Sequence, residues 1–134
     1  MESLKNRNIY FLLARVINGF SALLHLFAGQ LDLVDPLLNS NIDQQMKTEW
    51  LGVWHMVSII LFLTSYYLVK YGMNPPKKSR GEVLQVIGIL YLLFSVPFIL
   101  SGIIMKVLAP QWILLLPIGI LTFIGSKNLK RDEI

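Results

Sequence analysis

Four stretches of this chain are almost free of charge, and each is long enough to cross a lipid bilayer. Val83 to Met105 runs 23 residues without a Lys, Arg, Asp or Glu, and Val107 to Ser126 and Trp50 to Val69 run 20 each. Asn8 to Leu31 runs 24 residues with Arg15 as its one charge. About 20 apolar residues span the hydrocarbon core as a helix. Lipid offers no partner to the backbone, so a spanning segment must be a helix or a strand of a closed barrel. The alternation of a barrel strand is missing here. The expected fold class is all-α: an integral membrane antiparallel four-helix bundle. It forms one transmembrane domain over residues 1–134, with helices near 8–33, 50–71, 82–106 and 110–127.

Composition agrees. Hydrophobic residues make up 54% and charged residues 15%, with a mean hydropathy of +0.59. A soluble domain carries about 25% charge, and a chain this short has too much surface to hide so many apolar side chains in one core. An ordinary soluble enzyme, a disordered tail and a disulfide-stapled module are excluded. There are no cysteines, hence no thiolate nucleophile, Fe–S cluster or Cys-type zinc site. The first run is too long for a signal-peptide core of roughly 7–15 residues, and it carries Arg15, Asn18 and His25. It reads as a retained helix.

Basic residues set the orientation. Lys5 and Arg7 precede the first run, Lys70, Lys77, Lys78 and Arg80 flank the middle connection, and Lys127, Lys130 and Arg131 follow the last. Asp32, Asp35, Asp43 and Glu49 crowd the first connection against a lone Lys47, and the third connection has Lys106. The expected location is a bacterial inner (plasma) membrane, with N- and C-termini cytoplasmic. The pI near 9.5 then follows from topology and gives no reason to expect a nucleic-acid partner. Asp35-Pro36 reads as a turn, with a short interfacial helix before Trp50 an option. Asn74-Pro75-Pro76 breaks the chain inside, and Pro97 and Pro117 fall within spans, where they should kink the helices.

The first helix has a polar side. Counting about 100° per residue from His25, Arg15, Asn18, Ser21 and Asp32 fall within an arc of about 120°. Val16, Phe20, Leu23, Phe27 and Val34 lie opposite, as a lipid face. On the second helix His55 shares a side with Gly52, Ser58, Ser65 and Tyr66. The third has Gln85, Gly88, Tyr91, Ser95 and Gly102 on one side, and the fourth Thr122 and Gly125. His25 lies seven residues before Asp32 and His55 five after Trp50, about 10 and 8 Å from one rim. The expected site is a pocket in the outer half, where His25, His55, Asn18, Ser58 and Arg15 bind ligand, with Asp32 or Glu49 at its mouth.

Intramembrane ionisable groups point to function, but each has a plainer reading. The histidines can simply bond a neighbouring helix, Arg15 can snorkel to the inner interface, and Asp32 and Glu49 can be rim charges. Trp50, Trp54 and Trp112 suit an outer aromatic belt, and Tyr67 and Tyr71 an inner one.

Ala14-Arg15-Val16-Ile17-Asn18-Gly19-Phe20 through Leu24-His25-Leu26 resembles the first helix of small bacterial membrane proteins of the DoxX-like type. In those an Arg near the cytoplasmic end precedes a Gly-Phe and a polar position. Trp54-His55, with Pro36-Leu37-Leu38 before it, resembles a further group of small membrane proteins. The resemblance implies a four-helix bundle of the inner membrane. Some relatives of this type are linked to quinone-coupled oxidation and others to chaperoning or complex assembly.

Three functions of different classes follow. In the first, the histidine pocket binds a lipid-soluble, quinone-like ligand, a haem between two axial imidazoles, or a transition metal held by His25, His55, Asp32 and Glu49. In the second, the chain is an accessory subunit or chaperone of a larger membrane complex. In the third, it is an oligomeric transporter or channel, because four helices enclose too little volume for a pore alone. The expected partners are the lipid bilayer and either further copies of the chain or a membrane complex.

Overall fold

The computed structural model describes residues 9–72 and 78–131. Lys5, Arg7 and Lys77, part of the basic bias, and the Asn74-Pro75-Pro76 break lie outside the described residues. Among the described residues the regular structure is helical throughout. It comprises α1 (Ile9–Gly29), a π-helical turn (Gln30–Val34), α2 (Asp35–Leu38), α3 (Gln44–Gly72), α4 (Lys78–Met105) and α5 (Gln111–Arg131).

Three rods are long and apolar enough to cross a bilayer: Ile9–Leu38, Gln44–Tyr71 and Gly81–Met105. The apolar part of α5, Gln111–Lys127, has 17 residues. At 1.5 Å per residue that is ~26 Å, somewhat less than the ~30 Å core of a typical bilayer. The reason is local. The charge-free run Val107–Ser126 starts in a turn and not in the helix.

Two boundaries in the first connection differ from the sequence pattern. Asp35-Pro36 does not end the first helix, because the rod continues to Leu38. Pro36 lacks an N–H, and its ring crowds the carbonyl four residues back, that of Asp32. A wide π turn relieves that crowding. The Asp35 N–H reaches the Gln30 carbonyl, five residues back, and Gln30 Nε2 donates to Asp35 Oδ1 at 2.8 Å across the same interval. The chain reverses after Leu38. Buried Lys47 donates from Nζ to the Leu38 carbonyl at 2.7 Å, a cation on a helix C-terminus. Asp43 Oδ2 accepts from the Gln45 N–H at 2.9 Å, an N-cap that starts α3 at Gln44 and not at 50.

The α4 end is built as a Schellman turn. Lys106 takes a left-handed φ of 54°, Val107 N–H donates to Gly102 O at 3.1 Å, and Lys106 N–H donates to Ile103 O at 3.4 Å.

Packing places α1 between α3 and α5, and α5 against α4, while α3 touches α4 only sparsely. The α4–α5 seam is tight. A Cβ on Gly88 would lie 2.8 Å from Phe123 N, and one on Gly119 would lie 2.9 Å from Leu92 N. Small residues thus let the two backbones close. Phe11, Ala22, Leu61, Leu68, Leu84, Ile87, Tyr91 and Ile118 form the core. Phe20, Leu23 and Phe27 are exposed, as the helical wheel of α1 requires, along with Met56, Ile59, Val86, Leu93 and Ile103, whereas Val34 is buried because the π turn shifts the register of the wheel there. So much exposed apolar surface suits lipid as the surroundings.

Candidate functional site

The buried stripe of α1 is Phe11, Ala14, Asn18, Ser21 and Ala22. Asn18 is fully buried and carries the main polar cluster. Its Nδ2 donates to Thr64 Oγ1 at 3.2 Å and to Ser65 Oγ at 3.0 Å, both on α3. From α4, the Tyr91 hydroxyl donates to Asn18 Oδ1 at 2.5 Å. Thr64 and Tyr91 hydroxyls are 2.6 Å apart. Each hydroxyl carries one proton, and either oxygen can be the donor in that last contact. Three helices are joined through one dry cluster. The aromatic ring of Tyr91 fills the space between them, with no exposed surface.

His25 sits toward the other end of α1. Its ring stacks on Trp54 with centroids 3.8 Å apart and planes 15° from parallel, and its Nε2 lies 3.3 Å from the Trp54 carbonyl. Gly29 makes room for the indole, since a Cβ there would come within 2.4 Å of it. His55, the next residue after Trp54, is exposed. The inward stripe of α3 is Ser58, Leu61, Thr64 and Leu68, with Trp54 over His25. It is turned by about one residue's angle, ~100°, from the His55–Gly52–Tyr66 side that the sequence pattern favours. Gly52 and Tyr66 are exposed with His55. Bulk decides this, because the indole covers more apolar area than an imidazole and takes the interior position.

The candidate ligands are placed accordingly. Ser58 is buried, but its Oγ donates to its own helix at Trp54 O, 3.1 Å away. Arg15 is half-buried, and Asp32 and Glu49 are exposed; Glu49 Oε1 accepts from Gln45 Nε2 at 3.0 Å. Among the described residues no group of three or more His, Cys, Asp or Glu is placed to hold a metal ion, so His25, His55, Asp32 and Glu49 do not form one donor set. His25 Nε2 faces the Trp54 carbonyl, and His55 is exposed.

Open space lies elsewhere, at the sparse seam between α3 and α4. A cleft of about 360 Å³ is lined by Leu63, Thr64 and Tyr67 of α3 and Glu82, Val83, Val86 and Ile87 of α4. Its volume falls within the ~300–1,000 Å³ of ordinary ligand sites. Thr64 belongs both to the cleft wall and to the Asn18 cluster, so the cleft leads from the molecule's apolar outside to the edge of the buried hydroxyls. Glu82 is the one lining side chain that is charged at neutral pH. Thr64 and Glu82 escape a search for histidine constellations. The available signal was charge of the wrong sign, since Glu82 is a lone acid beside Lys77, Lys78 and Arg80. Compared with known proteins, the chain matches no family model, no curated protein and no solved structure.

Proposed function

We propose that this chain is an integral protein of a bacterial inner membrane that takes a lipid-soluble amphiphile into the α3–α4 cleft. All four long helices span, antiparallel, with both termini cytoplasmic. The contact pairs support the antiparallel arrangement. Asn18 meets Thr64 and Ser65 while His25, further along α1, meets Trp54, earlier on α3; Gly88 meets Phe123 while Leu92 meets Gly119. The basic bias of the termini and middle connection supports the orientation.

The observation that carries the reading is the cleft itself, open between two span-length helices, apolar along its walls and ending at Thr64. A ligand entering sideways from lipid keeps its tail along the apolar walls and brings its polar end to Glu82 and Tyr67. The test is to purify wild type and Val86→Trp in mild detergent and compare bound lipophilic species by native mass spectrometry. Val86 is exposed on the cleft wall, so the indole fills the site without entering the core. The wild type is expected to retain a species that the variant loses at least tenfold. Equal retention at equal thermal stability overturns the reading.

A further inference from the structure

We propose that the cleft selects a cationic amphiphile, an alkylammonium whose head sits between Glu82 and Tyr67 and whose tail lies along Leu63, Val86 and Ile87. This rests on the reading of the cleft as a ligand site and names the ligand's chemistry.

The lining is asymmetric along its length. Tyr67 and Glu82 stand nearest the helix ends at the Lys70–Lys78 side, while Leu63, Thr64, Val86 and Ile87 lie up to about 7 Å further along the rods, taking 1.5 Å per residue. One end therefore offers a carboxylate and an aromatic ring, and the other offers aliphatic walls. A carboxylate at the start of α4 is by itself explained by the helix dipole. That explanation leaves out why it lines a cleft together with a tyrosine. A carboxylate and an aromatic side chain are the two groups that attract an ammonium, and an amphiphile held in the cleft brings its head to them.

Lys70 Nζ lies 5.3 Å from the Tyr66 ring centroid and 5.6 Å from that of Tyr71, and neither it nor those two tyrosines lines the cleft. A neutral head such as an alcohol or a quinone gains nothing from the carboxylate, and an anionic head is repelled by it. Charge complementarity thus separates the ligand classes that the apolar walls alone would accept.

The experiment compares radiolabelled dodecylamine, dodecanol and a decyl-quinone by equilibrium binding to protein in phosphatidylcholine vesicles, with protein-free vesicles subtracted. Wild type, Glu82→Gln and Val86→Trp are measured side by side. Glu82 is exposed, so its amide isostere leaves the fold intact. The expected result is saturable amine binding at least tenfold tighter than alcohol or quinone, weakened about tenfold by Glu82→Gln and abolished by Val86→Trp. Amine and alcohol binding equally, both lost in Val86→Trp, overturns the charge selection and leaves the cleft as a site for neutral amphiphiles. Amine binding that ignores Glu82→Gln has the same consequence for the selection. No saturable binding of any probe, or binding that survives Val86→Trp, overturns the cleft reading as well.

Discussion

Both ends of the Asn18 amide are held by other helices, its nitrogen by Thr64 and Ser65 and its oxygen by Tyr91. Removing the Tyr91 hydroxyl leaves a buried carbonyl oxygen without a donor. Such a group costs about 1–3 kcal/mol in water-soluble cores, and interhelical bonds in membranes are worth somewhat less, about 0.6–1.7 kcal/mol. Tyr91→Phe is therefore expected to destabilise the bundle by about 1–2 kcal/mol, read as the midpoint of unfolding in mixed detergent. Asn18→Ala is expected to cost at least as much, and the double variant less than the sum, because the two share one bond. Strict additivity would mean that the cluster is not a unit. This scale also shows what a sequence conceals. Asn18 announces itself as an amide in a greasy run, and Tyr91 as a polar group on the same side as Gly88 and Ser95. Thr64 does not, because a threonine in a membrane helix ordinarily bonds its own backbone, as Thr64 also does with the Ile60 carbonyl at 2.8 Å. His25 is legible as an inward residue, but its partner is an indole and not a second imidazole.

At the level of elements, the seams differ in kind. α4 and α5 are closed by glycine against backbone, whereas α3 and α4 stand apart over the cleft. Gly88→Leu must push Phe123 and its helix away, and overpacking of this sort costs about 1–3 kcal/mol or more. It is expected to lower the unfolding midpoint clearly. Gly52→Leu, with no atom within 4 Å of the new Cβ, is expected to change it little, and equal losses at both positions would remove the special role of the seam. The inward sides of α4 and α5 are legible, since Gly88, Tyr91, Ser95, Thr122 and Gly125 interrupt otherwise uniform apolar runs. Those of α3 were not, because lipid-facing and inward residues are both apolar there and bulk decides. The boundary at Pro36 was misleading for a different reason. Proline ends an α-helix only if the turn before it cannot widen, and no residue pattern signals a π turn in advance.

Over the whole molecule, the charge pattern makes a claim about sides. Reporter fusions at Asp43 and at Lys78 are expected to report opposite faces of the membrane, Asp43 outside and Lys78 in the cytoplasm. Both on one side would remove the even number of spans between the termini and with it the bundle as drawn. The placement of α1 between α3 and α5 has a meaning in time as well as in space. Phe11 rests against Gly125, so one wall of the first helix is supplied by residues made more than a hundred positions later. At synthesis rates of about 5–20 residues per second, that wall is missing for roughly 6–23 seconds. During that interval α1 has α3 to pair with, through Asn18 and His25, but nothing on its other flank. The amide and imidazole contacts to α3 thus form a holding pair that can assemble before α5 is made.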